Sequence, residues 1–384
     1  MTNYKNLPYG KQNVDKKDIK SVIQTLYSEK LTTGKFVDVF EKNFSKYTNC
    51  KYSLSCNSGT SAILLSLLSI DLKKGDNVII PSVNFIAAAN MCKFIGANIF
   101  FADVDKHSFQ VTSKTIEECI KNNGLKKIKV FFSMYLGGAA ENIEDLAQIK
   151  KKYNCYFIED ACHALGSIYS MNRKKIKVGS CKFSDISIFS FHPVKTITTG
   201  EGGMINTNSK KIFSKVKNLR SHDIVKRKNI SYEIKNYGFN FRLSDINCSL
   251  GISQLKKLDI FVKKRREIAN YYFKGLRPLS KFVKVVNLKS LKKSSWHLLI
   301  LYFENYSRKK LIKLHEQLKL HGIFTQQHYI PSYKFVGHKN HKKNDKLINS
   351  EKYYNSCLSF PIFYDMKKKD VVRICKNLKK SLNV

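Results

Sequence analysis

Apolar residues along this chain follow two alternating patterns. Short runs rich in β-branched and aromatic side chains, at Tyr52 to Cys56, Asn77 to Pro81, Asn98 to Asp103, Lys129 to Tyr135, Tyr156 to Glu159 and Ile186 to Phe189, read as strands. Between them lie stretches with helical spacing, such as Ile143 to Tyr153. Strand and helix in alternation predict an α/β unit built on a largely parallel sheet flanked by helices. In such sheets ligands gather at the carboxyl ends of the strands.

Ahead of this block, Asp15 to Ser28 is predicted as a helix, with Ile19, Val22, Ile23 and Leu26 spaced for one buried face. Phe36 to Tyr47 reads as a second helix, and Asn206 to Arg220 as a later one. Ile246 to Tyr272 is predicted as one long helix, carrying Leu250, Leu255, Leu258, Phe261 and Val262 toward a core. Its Lys263, Lys264, Arg265 and Arg266 are expected on or near a solvated face. Strands around Trp296 to Phe303 and Ile323 to Tyr329, with helices around Arg308 to His321 and Lys367 to Leu378, predict a small α+β unit. The expected division is a large α/β unit over residues 1–255 and a smaller C-terminal one over 256–384.

Composition narrows the function classes. The formal charge of +40 invites a nucleic-acid reading, yet only nine of the 69 basic residues are arginines and the lysines are spread along the chain. No nucleic-acid motif accompanies them, so no nucleic-acid partner is expected. A basic surface still favours anionic small substrates. The ten cysteines form no CxxC pair, which argues against a metal site or a disulfide framework. The most apolar stretch, Ala62 to Ile70, is too short to span a bilayer, and the opening MTNYKNLPYGKQ lacks a long apolar run. A cytoplasmic location without membrane contact is the expectation.

Three segments carry candidate chemistry. SFHPVKTITTGEGG, Ser190 to Gly203, sets Lys195 on a loop stiffened by Pro193 and followed by glycines. A positioned amine of this kind suits carbonyl chemistry, although a lysine in a solvated turn is the simpler reading. In YFIEDACHALG a strand delivers Asp160 and then His163 to its carboxyl end. A buried carboxylate there needs a cationic or strongly donating partner, unless Asp160 is a helix cap and His163 a satisfied helix-face histidine. NSGTSA places Ser58, Gly59, Thr60 and Ser61 at a helix N-terminus, which is either an anion cup or a plain N-cap. Together with the ring of Phe85, these parts match pyridoxal phosphate: a phosphate cup, a flat partner, an anion for the pyridine nitrogen and an amine for the aldehyde.

At this point the sequence resembles the DegT/StrS family of sugar aminotransferases. LPYGKQ, LTTG, NSGTSA, EDACHALGS, SFHPVKTITTGEGG, YGFNFRLSDINCSLGISQLKKLD, WHL and QQHYIP carry the resemblance over nearly the whole chain. It implies the type I, aspartate-aminotransferase-like fold of pyridoxal-phosphate-dependent transferases, and a homodimer with shared active sites. Lys195 would be the Schiff-base lysine and Asp160 the partner of the pyridine nitrogen. Phe85 would stack on the ring, and Gly59, Thr60, Ser61 and Ser190 would hold the phosphate. Asn240 would reach the phosphate across the dimer interface. His163, where many relatives have glutamine, would lie near the 3-hydroxyl. Tyr9, Thr33, Tyr135, His192, His222, His328 and Tyr329 would line the sugar site.

FHPVKTITTGEGG with HYIP is similar to the narrower pseudaminic-acid branch of that family. This implies L-glutamate as amino donor and a UDP-linked 4-keto-6-deoxy N-acetyl sugar as acceptor. A transaminase for another nucleotide sugar is the alternative. The family's dehydratases carry histidine in place of the lysine, and a non-catalytic sugar-nucleotide binder would lack Lys195 or Asp160.

Overall fold

The computed structural model describes residues 5–171, 174–226, 231–234, 236–338 and 347–384. The chain opens with helices α1 (Lys16–Leu26) and α2 (Lys35–Thr48), then strand β1 (Tyr52–Cys56) and α3 (Gly59–Ser69). There follow β2 (Asn77–Pro81), α4 (Ala87–Ile95), β3 (Asn98–Ala102), α5 (Ser113–Asn122), β4 (Val130–Met134), α6 (Ile143–Lys152) and β5 (Tyr156–Asp160). A hairpin of β6 (Ile168–Met171) and β7 (Lys174–Lys177) leads to β8 (Ile186–Ser190), β9 (Gly203–Thr207) and α7 (Lys210–Leu219). A second hairpin, β10 (Ile224–Lys226) and β11 (Tyr232–Ile234), precedes α8 (Asp245–Leu255) and α9 (Leu258–Leu276). The chain closes with β12 (Val283–Val285), β13 (Leu299–Phe303), α10 (Arg308–Leu320), α11 (Ile348–Ser356), β14 (Cys357–Phe360) and α12 (Lys368–Ser381).

The large sheet runs β1-β9-β8-β5-β4-β2-β3. Every pair from β8 to β3 is parallel, while β9 runs antiparallel to both β8 and β1. Successive strand residues face opposite sides. Thus Val130 and Phe132 join one buried cluster with Leu65, Ala88 and Val216, from α3, α4 and α7. Phe131 joins the other, with Phe40, Ile116, Leu146 and Leu255 from α2, α5, α6 and α8. This is the expected mostly parallel, two-faced α/β layering. A separate cluster gathers Tyr272, Leu299, Leu301, Leu314, Phe360 and Ile374 around the small sheet β12-β13-β14, and Leu7 joins it.

Four expectations need correction. Asn206 and Thr207 belong to strand β9, and the helix begins only at Lys210. The long helix is two, α8 and α9, broken at Lys256 and Lys257. Arg265 is buried, not solvated, because its guanidinium donates to the carbonyls of Trp296, His297 and Ile362. Residues around Ile323 to Tyr329 form no strand beyond two isolated bridges, Ile323 to Leu7 and Gln326 to Ser359.

Helix α1 is amphipathic as predicted, but its apolar face stays open. Ile19, Ile23 and Leu26 are each about half exposed, whereas Asp18 and Thr25 are buried. Asp18 is held by Lys257 and by Gln254 Nε2 at 2.7 Å, so the helix docks on α8 through its polar side.

Gly138 sits at φ +106°, where an added Cβ would lie 2.7 Å from the His163 carbonyl oxygen and 2.5 Å from Ser295 Oγ. Gly138→Ala should therefore lower stability by about 1–3 kcal/mol, read as a lower urea midpoint. An unchanged midpoint would show that this backbone approach is not constraining.

Candidate active site

The carboxyl ends of β1, β4, β5 and β8 open into a cavity of about 480 Å³. Its lining includes Tyr9, Ser58, Gly59, Thr60, Phe85, Asp160, His163, Ser190, His192, Lys195, His328 and Tyr329. Eleven of the residues expected at the site thus meet in one place, with Ser58 beside them.

At one end stands the α3 N-terminus. Ser58 is its N-cap, accepting the Ser61 N–H at 3.0 Å, while Ala62 N–H reaches the Ser58 carbonyl. Among the described residues the Gly59 and Thr60 N–H groups find no acceptor, so they remain for an anion. A Cβ at residue 59 would lie 3.0 Å from Ser190 Cβ, which is how glycine lets the Ser190 hydroxyl approach this helix end. Ser61 does not line the cavity. Its hydroxyl donates to Asn57 Oδ1 at 2.6 Å and braces the cup from behind.

Asp160 ends β5 buried, with Oδ1 accepting the Cys162 N–H at 3.1 Å. Burial pushes its carboxyl up, partly offset by donors from Cys162 and by the Lys195 charge. Burial also holds the Lys195 ammonium below the usual lysine range, against the pull of Cys162 and Asp160. No salt bridge joins either group to a partner among the described residues. A carboxylate and an amine that face one cavity without touching leave room for a molecule that meets both. Phe85 offers a ring that is 50% exposed, although it lines the cavity and lies 5.4 Å from the Tyr329 ring.

Four expected residues lie elsewhere. Tyr135 is fully buried in the core, and the carboxyl nearest in its electrostatic surroundings is Glu159, on the sheet face opposite Asp160. It supports the sheet and does not line the cavity. Thr33, His222 and Asn240 are exposed on one ridge. Bridges from Thr32 to Ser244 and from Ser221 to Asn240 tie that ridge together.

The cavity also holds residues that sequence reasoning passed over: Cys162, Glu201, His297, Gln326 and Gln327. Each sits inside a motif already singled out, two beside expected residues, yet nothing in the spacing marks which neighbours point inward. His297 packs its ring 4.4 Å from His163, and its Nδ1 is buried without a partner.

Comparison with known proteins places this geometry. The model of the DegT/DnrJ/EryC1/StrS aminotransferase family matches residues 12–379. A UDP-4-amino-4,6-dideoxy-N-acetyl-beta-L-altrosamine transaminase of Campylobacter jejuni subsp. jejuni serotype O:23/36 is 38% identical over 366 residues, covering 95% of this chain and 94% of the relative. The structure of Helicobacter pylori PseC, an aminotransferase involved in the biosynthesis of pseudoaminic acid, superposes with TM-score 0.90 at 30% identity over 99% of this chain and 100% of that one. The putative sugar aminotransferase Spr1654 of Streptococcus pneumoniae, in its PLP form, shares the fold with TM-score 0.89 at 24% identity over 99% of both chains.

Burial holds the imidazoles of His163, His297 and His328 below the usual histidine range, His328 at about 3, and the Lys195 charge adds to the effect. These groups gain protons in the unfolded chain before the folded one, so their contribution is full above about pH 6.5 and is lost as pH falls below it. Asp160 and Glu159, pushed up by burial, act in the opposite sense, so the test is differential. The stability gap between wild type and His297→Asn should shrink as pH is lowered from about 7 to about 5, by at most ~1.4 kcal/mol per pH unit. A gap that stays constant in urea titrations would mean His297 is not held neutral.

Proposed function

The chain belongs to the DegT/DnrJ/EryC1/StrS aminotransferase family, and we propose that it transfers the amino group of L-glutamate to the C4 ketone of a UDP-linked 4-keto-6-deoxy N-acetyl sugar. It is a pyridoxal-phosphate-dependent nucleotide-sugar aminotransferase, and the place we assign it is pseudaminic acid biosynthesis. The observation that carries the reading is the unpaired Asp160 and Lys195 facing one cavity beside the open α3 amides.

Those residues fit pyridoxal phosphate. Bound there, the cofactor carries the amino group from donor to acceptor and takes up electrons from the reacting carbon. Lys195 would anchor it and, once released, move the proton at the substrate carbon. Asp160 would hold the ring nitrogen protonated. Gly59, Thr60 and Ser190 would bind the phosphate, with Ser61 behind them, and Phe85 would cover the ring. His163 would lie beside the 3-hydroxyl. Tyr9, His192, His328 and Tyr329 would face the sugar. Residues 1–255 are read as the cofactor-binding unit and 256–384 as the smaller unit.

We assign the working state to a homodimer in the cytoplasm. Support comes from the open α1 face of Ile19, Ile23 and Leu26, and from Ile234 and Tyr237 exposed near the second hairpin. A second copy seated there would remove this apolar surface from water. It would also explain why Asn240, Thr33 and His222 stand outside their own chain's cavity. No helix among the described residues is long and apolar enough to cross a membrane.

Glutamate added to the cofactor-loaded protein should change its visible absorption, and the UDP-linked keto sugar should reverse that change with release of a C4-amino sugar identified by mass and NMR. Absence of any change with glutamate sinks the reading. Lys195→Ala should abolish turnover. Ile23→Glu should give a monomer by light scattering and lower turnover at least ~10-fold, since a charge cannot be buried unpaired in an apolar interface.

A further inference from the structure

Tyr329 carries a hydrogen that the protein itself does not use. The Gly137 N–H faces His163 Nδ1 at 3.4 Å. A backbone N–H only donates, so Nδ1 is the acceptor and the proton of the neutral imidazole sits on Nε2. Nε2 lies 2.8 Å from the Tyr329 hydroxyl. The Nε2–H donates, the tyrosine oxygen accepts, and the phenol's own hydrogen must point elsewhere. Among the described residues no acceptor takes it. Tyr329 lines the cavity with Lys195 and Asp160, so this hydrogen is presented to whatever is bound.

The pair is held from several sides. His163 is buried against the His297 ring, and the His297 carbonyl accepts from the buried Arg265 guanidinium at 3.3 Å. The Tyr329 ring lies 5.4 Å from Phe85 and 5.7 Å from His163, centroid to centroid. Burial keeps the phenol above the usual tyrosine range, and His163 below the histidine range, so both stay neutral and the direction of donation is fixed.

We propose that Tyr329 is a catalytic hydrogen-bond donor to the carbonyl oxygen that is gained or lost by the reacting carbon, with His163 as the positioning residue that aims it. This rests on the aminotransferase reading above. When a keto product leaves, water adds to the carbon–nitrogen double bond. That bond breaks with its electrons going to nitrogen, nitrogen gains two protons, and the oxygen of water loses two as it becomes the carbonyl. Capture of the keto acceptor is the same exchange in reverse, and neither needs an oxidant. In both directions charge shifts onto one oxygen, and a donor fixed toward it lowers the barrier.

The test uses the pyridoxal-phosphate-loaded protein and glutamate in deuterated water. Proton exchange at the glutamate α-carbon precedes the oxygen step, and release of 2-oxoglutarate follows it. Tyr329→Phe should raise the ratio of deuterium washed into recovered glutamate to 2-oxoglutarate formed by at least ~10-fold, within the range of a lost donor. An equal fall of both, as a merely structural role would give, overturns the proposal. So does a changed resting absorption spectrum, which would move the donor to the cofactor's own oxygen. Wild type that shows neither exchange nor product instead defeats the reading of glutamate as donor. A second arm is independent of activity: ¹⁵N shifts of His163 in the cofactor-free protein should show the proton on Nε2, and a proton on Nδ1 overturns the proposal whatever the substrate.

Discussion

The separation of Asp160 from Lys195 is the constraint around which the molecule is arranged. Two opposite charges in a poorly solvated cavity would ordinarily close on each other, and here the backbone forbids it. Asp160 is fixed at the end of β5, and its Oδ1 is engaged by the Cys162 N–H. Lys195 hangs from a loop whose own bonds, Lys195 N–H to His192 O and Thr199 N–H to Phe191 O, hold it in place. The shifts that burial imposes on both groups, the carboxyl pushed up and the ammonium pushed down, are relieved by a ligand that brings a cationic nitrogen to one and a carbonyl to the other. Stability is given up at this point and recovered on binding.

A second layer consists of neutral polar groups. Three buried histidines, His163, His297 and His328, line the cavity with Tyr9 and Tyr329, alongside the carboxyls of Asp160 and Glu201, and no group of ligating side chains suited to a metal appears among the described residues. Their value is directional. Each imidazole can donate from one nitrogen and accept at the other, so a single backbone N–H from Gly137 sets the sense of the hydrogen bond that reaches Tyr329. Arg265 shows how far the scaffolding extends, since a fully buried guanidinium spends its hydrogen bonds on three carbonyls that shape the walls.

Much of this was legible in the chain. Apolar runs marked six strands of the large sheet, because in all but the edge strand β3 nearly every residue is buried on both faces and needs no polar alternation. Strand β9 escaped because it ends in Asn206 and Thr207, polar residues that tolerate burial only through distant partners. Asn206 accepts from Ser53 and donates to Thr48 and Gly179, contacts that local sequence cannot announce. The apolar period of α1 predicts a buried face, yet Ile19, Ile23 and Leu26 stay about half exposed, because a period does not say what covers it. Lys195, Asp160 and the α3 cup were visible because each breaks a local rule; His297 and the two glutamines were not, since only the fold turns them inward.

Strand β9 has a further consequence for the lysine loop. Its register pairs Gly203 with Ser190, so the segment between them leaves the sheet and returns to it at adjoining positions. Gly203 also abuts the Ser58 carbonyl, which leaves no room for a side chain there. The loop is anchored at both ends by the sheet and closed across its neck by the Phe191 N–H to Gly202 carbonyl bond, while its interior docks on α8, where Asn247 Nδ2 donates to the Thr199 carbonyl at 2.6 Å. The strands thus fix where the amine leaves and re-enters the sheet, while α8 and the buried Ile197 fix how the loop lies between those two points.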